Sequence, residues 1–266
     1  MVDFPAPPAP RGRAPGAVRT VTALILREMA TGYGRSPGGY LWAVLEPVAA
    51  IALLTAIFSL GFSAPALGRN FAIFYATGLL PFLMFTDLAG KVAASLTYSK
   101  ALLSYPAVTF FDAMLARFLL NLVTQLTVGA VVLGGILLAF ETGTAPDLPR
   151  ILGAAGLVAA LGFGLGAINC LLFTLVPLWQ RVWSVATRPL FVLSGTLYVF
   201  EAVPQPWRDW LWYNPLIHAV GAMRAGFYPY YDAGYVSILY PLGLSLGLSV
   251  MALLFLRRHH HALLAR

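Results

Sequence analysis

Apolar residues in this chain come in long blocks without a charge. Pro47–Gly68, Asn70–Thr86, Phe118–Phe140, Ile151–Gln180, Pro189–Phe200 and Ala233–Leu256 contain no Asp, Glu, Lys or Arg. A helix crosses a bilayer with about 20 mostly apolar residues. Most of the blocks reach that length, and the shorter ones reach it with a single charge at one end. The pattern predicts six spans: Gly39–Phe62, Phe71–Ala94, Phe110–Phe140, Ile151–Val176, Val185–Phe200 and Val236–Leu256. Ahead of them, Val21, Leu24, Ile25 and Met29 fall on one helical face and Arg19 and Arg27 toward another. That segment, Ala17–Tyr33, is too short and too charged to span, so it reads as an amphipathic helix lying in the cytoplasmic interface. Gly32, Gly34, Pro37, Gly38 and Gly39 break it.

Between the last two spans the pattern changes. Glu201–Tyr231 is rich in aromatic residues yet carries Glu201, Arg208, Asp209 and Arg224. A seventh span here would place the basic carboxyl terminus outside. The segment is therefore expected to form a re-entrant or interfacial hairpin of two short helices on the outer face, turning at Asn214-Pro215. The predicted fold is an all-α membrane protein: an N-terminal interfacial helix, six transmembrane helices, and an outer hairpin between spans five and six. The expected division is a disordered cytoplasmic tail at 1–16, the interfacial helix and linker at 17–38, the membrane domain at 39–258 with its hairpin at 201–231, and a cytoplasmic tail at 259–266. Met1–Gly16 is Pro/Ala-rich and lacks the apolar core of a signal peptide.

Composition supports the class: 59% of the residues are hydrophobic and 10% charged, against about 25% charged in soluble domains. The net charge of +7 follows the positive-inside rule rather than a nucleic-acid surface. With both termini inside, only Arg69, Arg150, Arg208 and Arg224 lie outside, while twelve basic residues, among them Arg27, Arg35, Lys100, Arg181 and Arg257, lie inside.

Candidate chemistry is sparse. Trp42 and Glu46 are four apart, hence on one helical face. A carboxylate near the bilayer centre costs about 2.5–3.5 kcal/mol and usually faces a bundle interior or a wet cavity. Pro47 is expected to kink or loosen that helix. Asp112 and Arg117 are five apart, a poor spacing for a direct pair, so each is expected to find a partner elsewhere. Gly162 and Gly166 form a small-xxx-small pair. Cys170, the only cysteine, reads as a helix-packing residue. No phosphate-binding loop occurs, and neither lysine closes one, so any ATPase belongs to another polypeptide. His259, His260 and His261 lack an acidic or cysteine partner nearby and read as a basic tail, not a metal site. His218 reads as an interfacial hydrogen-bonding group. The aromatic group Trp207, Trp210, Trp212, Tyr213, Tyr228, Tyr230 and Tyr231 suits a membrane interface or stacking against sugar rings. A membrane-embedded enzyme acting on lipid-linked sugars, with His218 or Asp209 as acid/base, stands as an alternative.

The stretch Leu26-Arg27-Glu28-Met29, then Tyr33-Gly34-Arg35-Ser36-Pro37-Gly38-Gly39-Tyr40-Leu41-Trp42-Ala43-Val44-Leu45-Glu46-Pro47, with Tyr213-Asn214-Pro215-Leu216 before the last span, resembles the permease subunits of polysaccharide-export ABC transporters. It looks most like the capsular, polysialic-acid-type inner-membrane permeases of Gram-negative bacteria. Gly32 departs from the resemblance, in which a basic residue is common. The resemblance implies a homodimer bound to two copies of a separate ATPase, which holds ATP and Mg. It implies no cofactor in this chain, no catalytic or metal site, and export of a lipid-linked acidic glycan toward a periplasmic adaptor and an outer-membrane channel. It implies a path lined by Trp42, Glu46, Trp183, Arg188 and Tyr198, extended by Trp207, Trp210 and Tyr213 of the hairpin. Contacts to the ATPase fall to Arg27, Tyr98, Lys100, Tyr105, Trp179 and Arg181. Permeases for O-antigen, teichoic acid, small lipids or drugs share the expected architecture and remain alternatives.

Overall fold

The computed structural model describes residues 16–32, 39–100 and 108–264, and the described residues form helices and turns without a strand. In chain order the α-helices are α1 (Ala17–Gly32), α2 (Gly39–Gly61), α3 (Phe71–Ala93), α4 (Ser95–Tyr98), α5 (Phe110–Ala139), α6 (Leu148–Leu175), α7 (Pro177–Leu193), α8 (Trp207–Trp212), α9 (Pro215–Phe227) and α10 (Leu239–Leu264). Among the described residues, five helices are long and apolar enough to cross a membrane: α2, α3, α5, α6 and α10.

Helix α3 is the axis of the bundle and is buried along most of its length. Helices α2, α5, α6 and α9 pack around it, α10 closes the far side of α6, and α1 lies along α5. The helix starts are set by local side chains. Asn70 Oδ1 accepts from the amides of Ala72 (2.9 Å) and Ile73 (3.3 Å) at the head of α3. Thr109 and Asp112 form a reciprocal capping box at the head of α5, which gives Asp112 its partner. Asp147 caps α6 ahead of Pro149 in its first turn.

Glycines let the central helices approach. Gly162 and Gly166 face Leu88 and Val92 of α3, and Gly164 faces the backbone of Ser245 in α10. Pro47 lies inside α2, which continues as one helix through it. Cys170 is buried with its Sγ 3.6 Å from Ser95 Oγ, joining α6 to α4.

Two elements differ from the sequence reading. The expected fifth span, Val185–Phe200, is not one continuous helix. Helix α7 begins earlier, at Pro177, where proline fits the first turn. It ends at Leu193, and Gly195 with φ +71° turns the chain before a short 3-10 turn at Phe200–Ala202. The stretch read as a connector, Pro177–Arg188, is therefore helical. The last helix starts at Leu239 rather than Val236 and runs through the expected tail to Leu264.

The segment Glu201–Tyr231 does form two helices, α8 and α9, with the turn at Tyr213-Asn214 and Asn214 capping α9 through Leu216 N (3.1 Å). Only α8 is peripheral. Helix α9 is inserted against α3 and α6, with Leu216, Ile217, Ala219, Val220 and Phe227 buried.

Candidate functional site

The expected path residues sit on outward faces. Trp42 is 61% exposed, and Glu46 is exposed beside it together with Leu45, Leu53 and Ile57. Glu46 therefore does not point into the core of the bundle; α2 buries Pro47 and Ile51 instead. Helix α7 has no buried residue; Trp183 is half-buried and Arg188 exposed. Helices α2 and α7 touch one stripe of α3. Phe58 meets Tyr75 at 5.2 Å between ring centroids, and Phe191 meets Phe82 at 5.3 Å. Tyr75 and Phe82 are two helical turns apart and so share a face. Trp42, Glu46, Trp183 and Arg188 thus belong to two helices that flank α3 and have uncovered outer faces.

The aromatic group divides. Trp207 (66% exposed), Trp210 (76%) and Tyr213 point outward, whereas Tyr228 is buried and Trp212 and Tyr231 are half-buried. Trp207, Trp210 and Leu211 line an open groove of about 670 Å³ with Leu190 and Leu193 of α7 and with Asn214 and Pro215. Trp212 stacks on Tyr240 (5.4 Å) and donates Nε1–H to Tyr235 O (3.2 Å). Tyr231 donates its hydroxyl to Glu201 Oε2 at 2.9 Å. Burial pushes the Tyr235 hydroxyl up to about 12 and raises Tyr231 as well, so both remain neutral donors at physiological pH.

His218 is fully buried within the protein and is a hydrogen-bonding group. Its Nδ1 accepts from Ser237 N–H (3.1 Å), which leaves Nε2–H to donate to Trp212 O (2.8 Å). Both ring nitrogens are thereby committed to backbone, and Asp209 is exposed and paired with Gln205 Nε2 (3.1 Å). Arg224, also buried, holds carbonyls of the turn after α7. Tyr198, expected on the path, takes part through its backbone oxygen.

Among the residues expected to meet an ATPase, Tyr98 borders a charge cluster and Arg27 adjoins it in sequence. Arg117 Nε lies 2.9 Å from Glu28 Oε1, with side chains only 8% and 13% exposed. Arg117 Nη1 donates to Ala94 O (3.2 Å), and its guanidinium stands 4.3 Å above the Tyr98 ring. One arginine thus ties α1, α5 and α4 together. Trp179 donates to Asn169 Oδ1 (2.9 Å), holding the start of α7 to the end of α6. Arg27, Lys100 and Arg181 are exposed. Arg35 and Tyr105 lie outside the described residues, as do the side chains of His259–His261. The Glu28–Arg117 pair was not predicted; the one sign of it was that Arg117 lacked a partner on its own helix.

A profile of the ABC-2 type transporter family matches residues 19–228. The chain belongs to that family. Relatives include the polysialic acid transport protein KpsM of Escherichia coli, 28% identical over 221 residues, covering 83% of this chain and 86% of KpsM. The capsule polysaccharide export inner-membrane protein CtrC of Neisseria meningitidis is 25% identical over 239 residues, covering 88% and 90%. BexB of Haemophilus influenzae, which bears the same description as CtrC, is 24% identical over 240 residues, covering 90% of each chain. The family match takes in α2 through α9 and most of α1, so the outward faces of α2 and α7, the charge cluster and the hairpin all lie within the shared ABC-2 architecture.

Proposed function

We propose that this chain is the permease subunit of an ATP-driven exporter that moves lipid-linked capsular polysaccharide across the bacterial inner membrane. The observation that carries this reading is the match over more than four-fifths of the chain to relatives named for capsule polysaccharide or polysialic acid transport. Two copies of the chain work with two copies of a separate ATP-binding subunit, which supplies the nucleotide chemistry with Mg. A periplasmic adaptor and outer-membrane protein receive the glycan. The chain crosses the membrane six times with both termini cytoplasmic; α7 and the following turn make the fifth crossing, and α8–α9 is a re-entrant hairpin on the outer face.

The exposed carboxylate supports the dimer. Glu46 on a lipid-facing surface costs about 2.5–3.5 kcal/mol at the bilayer centre, whereas a wet passage between two protomers removes that cost. The outward faces of α2 and α7, carrying Trp42, Glu46, Trp183 and Arg188, then line the passage. Aromatic planes and isolated cations give a moving polyanion many weak contacts, and a deep charged cage would hold it. Closure of the ATPase pair displaces the connectors at Tyr98–Tyr105 and Trp179–Arg181, and the helices follow as rigid bodies.

Trp42→Ala and Arg188→Ala are expected to lower surface capsule at least tenfold while membrane level and ATPase association stay at the parent value. Capsule immunostaining together with co-purification reads both. Full encapsulation in both variants would remove the path assignment, and a chain that never co-purifies with an ATP-binding subunit would remove the exporter reading.

A further inference from the structure

Helix α7 stops at Leu193, and its end is held by side chains of the outer hairpin. Asn214 Nδ2 donates to Leu193 O at 2.9 Å and approaches Ser194 Oγ at 3.4 Å. Arg224 Nη1 donates to Tyr198 O at 2.5 Å and Nη2 to Thr196 O at 3.1 Å. The carbonyls released where α7 breaks thus find donors on the turn and body of the hairpin rather than in water.

The turn is also tied back to α7. Ser194 Oγ donates to Leu190 O and Thr196 Oγ1 to Phe191 O, each at 2.6 Å. Helix α3 makes room for it at Gly78, where a Cβ would stand 2.6 Å from Thr196 O and 3.1 Å from Arg224 Nη2. The guanidinium lies 4.4 Å from the Phe74 ring centroid.

Arg224 is 2% exposed, and among the described residues no carboxylate pairs with it. A buried cation without an anion is a costly way to fill space. A neutral amide could satisfy one carbonyl here, but the planar fork of arginine reaches two divergent ones with charge-assisted bonds.

We propose that Arg224 and Asn214 are positioning residues that lock the outer hairpin to the end of α7, so that the two move as one body. Displacement of α7 from its Trp179 end is delivered to the hairpin through this joint. The proposal rests on the exporter reading, in which α7 borders the passage.

The test uses the chain in lipid nanodiscs with its ATP-binding subunit, in a Cys170→Ala background that removes the only cysteine. Spin labels at Val192 and Asp209 report across the joint, and labels at Leu138 and Asp209 report hairpin movement against α5. All three positions are exposed. In the parent, the Val192–Asp209 distance is expected to stay narrow and unchanged between nucleotide-free and ATP-trapped states, while the Leu138–Asp209 distance shifts. Arg224→Gln is expected to widen the Val192–Asp209 distribution at least twofold and to lower export at least tenfold with ATP hydrolysis retained. Arg224→Lys is expected to fall between them. A Val192–Asp209 distance that shifts with nucleotide in the parent overturns the joint, as does an unwidened distribution in Arg224→Gln. Should Arg224→Gln fail to reach the membrane, Asn214→Ala, at a half-buried site, takes its place under the same criteria. Should no ATP-binding subunit associate, the exporter reading falls, and the widths measured on the chain alone still decide the joint.

Discussion

Replacing Arg117 with glutamate will strip most of the protein from the membrane. The substitution sets two carboxylates against each other in a site where both side chains are nearly covered. It also deletes the donor to Ala94 O and the cation above Tyr98. Breaking a buried pair from one side costs about 3–5 kcal/mol, because the remaining charge is left without compensation. That is a large part of the stability of a typical domain, about 5–15 kcal/mol. Membrane-inserted, detergent-extractable protein is expected to fall more than tenfold. Arg117→Gln should be less severe, and Glu28→Gln milder again, since arginine keeps Ala94 O and the Tyr98 face when Glu28 is neutralised. The charge swap Glu28→Arg with Arg117→Glu should recover much of the loss. A double-mutant cycle on thermal unfolding of the extracted protein supplies the coupling energy. If the single losses simply add, the pair contributes nothing and α1 is held to α5 by apolar packing alone. The mild variant carries the functional information. Under the exporter reading, Glu28→Gln should lower export more than it lowers protein level, because the charge link from α1 to Arg117 is lost while Arg117 still holds Ala94 O and the Tyr98 face.

The long apolar blocks located α2, α3, α5 and α6 to within a few residues because a helix in lipid must satisfy its backbone within itself. Helical spacing likewise puts Trp42 and Glu46 on one face, and both are exposed there. The break after α7 was not legible in the same way. Pro189–Phe200 is uncharged, and its helix ends because Gly195 adopts a positive φ and because Arg224 and Asn214 capture the freed carbonyls. Those partners come from a later element, so no local pattern announces them. The insertion of α9 had a faint signal in its small residues Gly221, Ala222, Ala225 and Gly226. At Gly226 a Cβ would stand 2.8 Å from Ile151 Cγ1 of α6. Aromatic density on either side drew attention to the interface instead. The Glu28–Arg117 pair joins segments far apart in sequence, and only the assembled bundle brings them together.

Gly164→Val and Gly166→Val are expected to part the central helices, each through a different neighbour. A Cβ at Gly166 would lie 2.7 Å from Val92 Cβ and 2.9 Å from Ala89 O, against α3. A Cβ at Gly164 would lie 2.5 Å from Ser245 O and 2.9 Å from Ser245 Cα, against α10. Neither neighbour can swing aside, since Val92 Cβ is anchored to its helix and Ala89 O is backbone, but the approach at Gly164 is closer and all three of its nearest atoms are backbone, so the Gly164 substitution should be the worse of the two. Overpacking of this kind costs about 1–3 kcal/mol where some relaxation is possible. Between membrane helices, close approach is itself a source of association, because lipid provides no hydrophobic drive toward the neighbour. Two neighbouring glycines give the control. Nothing lies within 4 Å of a Cβ built at Gly153 or Gly156 on the same helix, so Gly156→Val should leave thermal stability near the parent value. Thermal unfolding followed by fluorescence-detected chromatography orders the three variants as Gly164→Val below Gly166→Val below Gly156→Val. Equal melting of all three would mean that α6 is not held by contact at its glycines, and the arrangement that sets α9 and its arginine against α3 would lose its foundation.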